Sequence, residues 1–374
     1  MNIENYRNLF PVTKNYVFLN HAAVSPASLR VTEAVAEFYN ECATQASKGY
    51  FNWLAKIDET RNKAAALINA KPEETAFVGN TSGGISIIAE GFKWKSKDAV
   101  LVPVSDFPAN VYPWMHLARL GVDVRFVQRR NRRFGLKEIE HALVPGTKML
   151  AVSSVDYASG FAADLKELGN FCRKKGLLFC VDAIQSLGVI PIDVKECGIH
   201  FLASGGHKWL IGPMGIGILY VGKEVNELIN VSRVGWKSVV NEEDFEINFI
   251  LKQNALRFEP GTMNLSGIYG LGAALDLLHE IGISNINKKV LAINSMFMEK
   301  LLKRNLEITS PLDENERSGI LTFIPGGDPS SCYKFLAERN IMVSLRRGRI
   351  RIAPHFYNNK ADVDAFFRAL DEFS

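Results

Sequence analysis

Lys208 lies in Ser204-Gly205-Gly206-His207-Lys208-Trp209, between an apolar run at 199–203 and a second at 212–220. Small residues before it and a rigid apolar strand after it place this lysine between two buried strands. Desolvation disfavours the ammonium form, so such an amine has a lowered pKa and becomes a usable nucleophile. It can form a Schiff base with an aldehyde, and pyridoxal phosphate is the aldehyde most often used. The bland alternative is a surface lysine at a strand end. Asp182 closes the run 177–182, which has no polar residue before its end. A carboxylate there can keep a pyridine nitrogen protonated, or it can simply cap the helix that follows. Upstream, the strand-like run 75–78 leads into Asn80-Thr81-Ser82-Gly83-Gly84, which opens a helical pattern. Free amides and the helix dipole make such a start an anion site. The competing reading is a plain N-cap by Thr81 or Ser82.

The elements that must position these residues follow from periodicity. Strands are expected at 16–20, 75–78, 99–104, 122–127, 149–154, 177–182 and 216–221, with helices at 28–69 (broken near Gly49), 109–120, 136–143 and 165–175. Continuous apolar strands alternating with helices indicate a mainly parallel sheet covered on both faces. Ligands of such sheets bind beyond the carboxyl ends of the strands, where Asp182, Thr81, Ser82 and Ser154 all fall. After residue 256 the pattern changes to helices at 268–281, 287–304, 332–339 and 361–373, with short strands at 320–324, 342–345 and 350–353. The expected architecture is α/β: a large domain over 16–255, a smaller α+β C-terminal domain over 256–374, and an N-terminal segment over 1–15. The Gly212-x-x-Gly215-x-Gly217 run leads into a strand instead of opening a helix, so it is not a dinucleotide fingerprint.

Composition excludes other classes. With 47% hydrophobic and 22% charged residues and a net charge of +4, the 374-residue chain has an ordinary globular balance. Basic clusters at 129–133 and 346–349 lack interleaved aromatics and read as solvated loops, so no nucleic-acid partner is expected. The five cysteines are scattered and without CxxC spacing, which argues against disulfides and against a metal site. No run is apolar and long enough to span a bilayer, and no signal segment is visible; the cytoplasm is the default expectation.

Two motifs in order carry a resemblance. Val181-Asp182-Ala183-x-Gln185-Ser186 precedes Gly206-His207-Lys208-Trp209-x-x-Gly212-Pro213, with Lys208 26 residues after Asp182, and Arg257-Phe258-Glu259-Pro260-Gly261-Thr262 follows. The chain resembles the class V aminotransferase and cysteine desulfurase-like group of fold-type-I pyridoxal phosphate enzymes, from residue 16 to the last helix. The resemblance implies that Lys208 carries the cofactor and moves protons at the substrate Cα, while Asp182 pairs with the pyridine nitrogen. It implies that Gln185 meets the phenolic oxygen and that Thr81, Ser82 and His207 hold the phosphate. Phe107 takes the position that stacks on the ring, where relatives often have histidine; phenylalanine can stack there but cannot exchange a proton. Tyr157 falls near the ring oxygen, and Asn20 and Ala23 are read as substrate-binding. The segment Arg349-Ile350-Arg351-Ile352-Ala353-Pro354-His355-Phe356-Tyr357-Asn358 resembles the last motif of the group, so Arg351 is expected to bind the substrate α-carboxylate. The competing partner for Arg351 is an acid such as Asp362 or Asp364. Thr262 is expected to reach the cofactor phosphate of a second subunit, which makes the protein a homodimer.

Cysteine desulfurases need a mobile cysteine just before the carboxylate-binding arginine. Residues 343–349 contain none, and Cys332 lies 19 residues before Arg351. The expected activity is therefore amino-group transfer between small amino acids and keto acids. An epimerase-like or lyase-like reaction is the alternative, and a non-catalytic module of the same fold is the remote one.

Overall fold

The computed structural model describes residues 3–373; Met1, Asn2 and Ser374, which fall in the expected terminal segments, lie outside the described residues. Two 3-10 segments, Ile3–Leu9 and Pro11–Lys14, precede β1 (Val17–Phe18) and two long helices, α1 (Leu29–Gln45) and α2 (Tyr50–Leu67). They are separated by a short 3-10 turn that ends at Gly49, near the expected break. Then come β2 (Thr75–Val78), α3 (Thr81–Gly91), β3 (Ala99–Pro103), α4 (Tyr112–Met115), β4 (Asp123–Val127), α5 (Leu136–Ala142) and β5 (Thr147–Ser153). α6 (Leu165–Lys175), β6 (Leu178–Asp182), β7 (Phe201–Gly205) and β8 (Gly217–Val221) complete this part.

These strands form a seven-stranded sheet in the order β2-β8-β7-β6-β5-β3-β4. β8 runs against both of its neighbours, and the other pairings are parallel. Alternate residues feed two separate cores. Leu150, Val152, Phe179, Val181 and Leu202 face one, and Met149, Ala151, Cys180, Phe201 and Ala203 face the other. Successive side chains of a strand point to opposite faces, so a sheet covered on both sides needs apolar residues at every position. That is why these runs have no polar residue before their ends. The carboxyl ends of β2, β3, β5, β6 and β7 meet at one edge.

The sequence predicts one helix over 109–120. The chain instead makes a 3-10 turn at Pro108–Asn110, then α4, then a second 3-10 segment at His116–Leu120. Pro113 has no amide hydrogen to continue a helix, and it falls in the first turn of α4, where no bond is lost.

The remaining elements are α7 (Leu265–Ile281), α8 (Ile283–Leu302), β9 (Leu321–Phe323), α9 (Pro329–Glu338), β10 (Ile341–Met342), β11 (Ser344–Arg346), β12 (Arg349–Ile352) and α10 (Lys360–Phe373). α7 joins the first core, while β9, β11 and β12 form an antiparallel sheet over a third core. β11 and β12 are joined by Arg347-Gly348 alone, both with positive φ (49° and 71°). That is the tight hairpin turn whose twist matches the strands. Alternation in β12 works as the sequence predicts: Ile350 and Ile352 fill the third core, and Arg351 lies on the opposite face.

Candidate active site

Thr81, Ser82, Phe107, Tyr157, Gln185, His207, Lys208, Ala23 and Arg351 all line one cavity of about 400 Å³. Nine of the residues singled out in the sequence are therefore brought together. Asp182, fully buried at the end of β6, lies beside this group within electrostatic reach of Lys208. Asn20 and Thr262 are not among the residues lining the cavity; Thr262 is exposed on this chain.

Lys208 follows β7 in a loop tied down from outside. The Ser25 amide donates to the His207 carbonyl (2.9 Å) and the Ser25 hydroxyl to the Lys208 carbonyl (2.6 Å). The N-terminal segment that carries Ser25 is itself anchored by His21, whose ring bridges the Ala353 carbonyl (2.8 Å) and the Tyr357 hydroxyl (2.7 Å). Lys208 is 8% exposed and its Nζ sits 5.5 Å from the centre of the Phe107 ring. Burial lowers its pKa from the ordinary lysine value; Arg351 and Arg346 add to the shift and Asp182 opposes it.

Asp182 Oδ1 accepts the Ile184 amide (3.0 Å), capping a turn and not the helix expected there. Its Oδ2 is buried and has no partner. Burial pushes the carboxyl above its usual range, Asp106 adds to the rise, and the Ile184 amide and Lys208 oppose it. A buried unpaired carboxylate is costly, and a cation placed against Oδ2 relieves it.

The N-cap of α3 is Asn80, not Thr81 or Ser82: its side chain accepts the Gly83 amide (2.8 Å). The first-turn amides of Thr81 and Ser82 therefore keep no intrahelical partner. The Thr81 hydroxyl accepts from the Gly205 amide (2.9 Å), which retains its own hydrogen for donation. Gly84 lets α3 lie close on β7, since a Cβ there would come within 2.9 Å of Ala203 Cβ. Gln185 accepts from Trp209 Nε1 (2.9 Å) and donates to the Ala22 carbonyl (3.0 Å), leaving one amide hydrogen. Phe107 is held edge-on against Tyr157 (5.1 Å between ring centres). Its amide is fixed by Asp106, which also accepts from Ser153 and Asn110.

Arg351 is 1% exposed, with Nε on Ser344 Oγ (3.0 Å) and Nη1 on the Tyr157 carbonyl (2.7 Å); its Nη2 has no partner. The acids that could have claimed it are engaged elsewhere: Asp362 with Arg7, and Asp364 with Lys300 and Lys360. The basic clusters are not all solvated loops. Arg129 is nearly buried on Asp156 (2.6 Å), Arg133 pairs with Glu316, and Arg346 lines the cavity. Charge clustering alone could not separate these cases. The signal that could have found Arg346 is its period-two spacing from Ser344 in the strand that faces Arg351.

A more voluminous groove, about 910 Å³, runs past Phe134, Asp164 and Asp193. Two of its acids are engaged as caps: Asp164 accepts from the Glu167 amide, and Asp193 from the Lys195 and Glu196 amides. It offers no buried amine, so the smaller cavity is where the chemistry can occur.

The protein-family model described as Aminotransferase class-V matches residues 17–369. The chain is 30% identical to the probable cysteine desulfurase of Methanothermobacter thermautotrophicus, over 100% of this chain and 98% of that protein. It is also 30% identical to the uncharacterized aminotransferase YcbU of Bacillus subtilis, over 99% and 97% of the two chains. Among solved structures, the apo cysteine desulfurase of Thermococcus onnurineus superposes with a TM-score of 0.90 at 26% identity, covering 99% of this chain and 97% of that one. The names of these relatives include the reaction that the missing loop cysteine disfavours.

Proposed function

This chain belongs to the aminotransferase class-V family and is a pyridoxal phosphate-dependent enzyme, and from that premise we propose that it transfers the amino group of a small amino acid to a 2-oxo acid. One observation carries the choice of reaction: Lys208 is the one amine in the cavity, and no thiol lines it. The bound cofactor supplies an electron sink for a carbanion at the substrate Cα. Lys208 would hold the cofactor through its amine and would serve as the base and acid that moves the substrate Cα proton. Its lowered pKa keeps a fraction of the amine unprotonated near neutrality. The buried, unpartnered Oδ2 of Asp182 supports the fit of a protonated pyridine nitrogen. The Thr81 and Ser82 amides, with His207 beside them, would hold the phosphate; the remaining Gln185 hydrogen would meet the phenolic oxygen, and Phe107 would lie against the ring. Ala23 would bound the substrate side and Tyr157 would lie near the ring oxygen; Asn20 is outside the cavity lining.

Desulfuration needs a cysteine that reaches substrate sulfur. The two-residue Arg347-Gly348 turn leaves no loop to carry one. Cys332 is fully buried in the third core, and burial pushes its thiol up to about 11. The remaining cysteines lie outside the cavity lining. No single Cys→Ala variant is expected to lose turnover while keeping its fold and cofactor; one that does would restore the sulfur reading. The activity itself is tested by incubating the enzyme with amino acids and a panel of 2-oxo acids, following both products by chromatography. Alanine released from cysteine without any oxo acid, with its sulfur recovered as sulfide in the presence of a thiol reductant, would overturn the proposal.

Arg351 orients the α-carboxylate through its free Nη2. Arg351→Ala loses a charge-assisted contact of about 1.5–3 kcal/mol, or roughly tenfold to over a hundredfold in kcat/KM. Arg351→Lys is also impaired, because lysine cannot reproduce the planar fork. Substrate titration followed by cofactor absorbance checks this; unchanged affinity in Arg351→Ala removes the assignment.

The active form is a homodimer in which Thr262 reaches the other subunit's phosphate. Exposed apolar side chains support this: Phe245, Ile247 and Phe249 are 76%, 104% and 70% exposed, in a segment that runs toward the Pro260-Gly261-Thr262 turn. Patches of that kind on a soluble chain mark contact surfaces. Sedimentation is expected to give twice the chain mass. A monomer that keeps its cofactor and turns over would contradict it.

A further inference from the structure

The cavity is lined by Lys208, Arg346 and Arg351 and by no carboxylate. If Arg351 takes the α-carboxylate, as proposed above, the second arginine remains to be explained. Arg346 is half-buried, its Nη1 donates to the neighbouring Leu345 carbonyl (2.8 Å), and among the described residues no acid pairs with it. Asp156, within electrostatic reach of Arg351, is engaged with Arg129, and Glu307 acts on Arg349. Arg347 donates to the Ser105 carbonyl and lies over the Tyr157 ring, and it is not among the residues lining the cavity.

Register sets the two arginines side by side. Ser344 pairs with Arg351 and Arg346 pairs with Arg349, so Arg346 and Arg351 are diagonal neighbours on one face of the hairpin. Diagonal positions of an antiparallel pair stand about 7–8 Å apart at the backbone. Like charges at neighbouring positions repel unless an anion lies between them; burial lowers the pKa of Arg351, and the Arg346 charge lowers it further. The hairpin turn is short, and the Arg351 side chain is held in place by Ser344 and Tyr157.

We propose that Arg346 is a specificity residue that reads a second carboxylate, at the end of a short substrate side chain, while Arg351 holds the first. The substrate class is then the acidic amino acids and their 2-oxo acid counterparts. This rests on the reading of Arg351 as α-carboxylate anchor but not on the reaction that follows.

The test uses the holoenzyme and probes that have no amine and therefore cannot react with the cofactor. Succinate and glutarate are titrated by calorimetry against butyrate and valerate, their monocarboxylate counterparts. A charge-assisted contact predicts that the dicarboxylates bind about tenfold to a hundredfold more tightly. Arg346→Met abolishes that preference and leaves monocarboxylate binding unchanged; Arg346→Lys restores part of it; Arg351→Ala weakens both probe classes. Equal affinity for the two classes in the wild type overturns the proposal, as does a preference that survives in Arg346→Met or binding of neither dicarboxylate. Failure of amino-group transfer in the separate product assay leaves this preference intact, so the two failures are distinguishable.

Discussion

Lys208→Ala is expected to lower turnover on the order of 10⁴-fold, the largest single effect in the protein. The variant loses two functions at once, because the same amine holds the cofactor and moves the Cα proton. Loss of a positioned general base alone removes about 10²–10⁴-fold, and no other amine lines the cavity to replace it. Phe107 cannot substitute, since a phenyl ring carries no exchangeable proton. Fold should survive: Lys208 makes no side-chain ion pair, and its loop is held by backbone bonds to Ser25. Borohydride treatment of the wild type should fix the cofactor onto Lys208, and peptide mapping reads the position. Label on another lysine refutes the assignment.

The second effect comes from Asp182→Asn, expected to reduce kcat about a hundredfold to several thousandfold. Asparagine keeps the oxygen that accepts the Ile184 amide, so the cap of the following turn is preserved. It removes the negative charge from the buried site. Breaking a buried ion pair typically costs about 3–5 kcal/mol, which converts to that range in rate. Without the charge the pyridine nitrogen loses its proton and the ring is a weaker electron sink. The apoprotein should not be destabilised, because burial already holds the Asp182 carboxyl above its ordinary pKa. The sign of the linkage follows from that direction. A carboxyl whose folded pKa is raised favours folding when protonated, so its unfavourable contribution grows as pH rises through the unfolded value. Apo Asp182→Asn is therefore expected to gain stability over apo wild type at neutral pH and to match it in acid, as thermal unfolding at several pH values will show. Turnover near wild type would remove Asp182 from its role.

The positions of most central strands and their mainly parallel type were legible in the sequence, because a sheet buried on both faces leaves an unbroken apolar run in each strand; their order in the sheet was not. Lys208 and Asp182 were legible for a related reason: each is a charged residue at the end of such a run, where burial changes its chemistry. The helix expected at 109–120 failed because Pro113 restarts it, a local effect that the apolar pattern hides. The cap of α3 was misplaced by one residue. Asn80 was the better acceptor for the Gly83 amide, and the Thr81 hydroxyl was drawn instead to the Gly205 amide 124 positions away in sequence.

By itself, then, the sequence determined the mainly parallel sheet, the lysine and carboxylate at strand ends, and the two faces of the strand that carries Arg351. Each of these depends on neighbours within a few residues, where backbone period and side-chain type suffice. Tertiary structure alone decided that Asp362 and Asp364 are engaged elsewhere, that every cysteine stays out of the cavity lining, and that Arg346 leaves its basic cluster to stand beside Arg351. Those outcomes depend on which distant segments pair and in what register, and a one-residue shift of the β11–β12 hairpin would have turned both arginines away from Lys208.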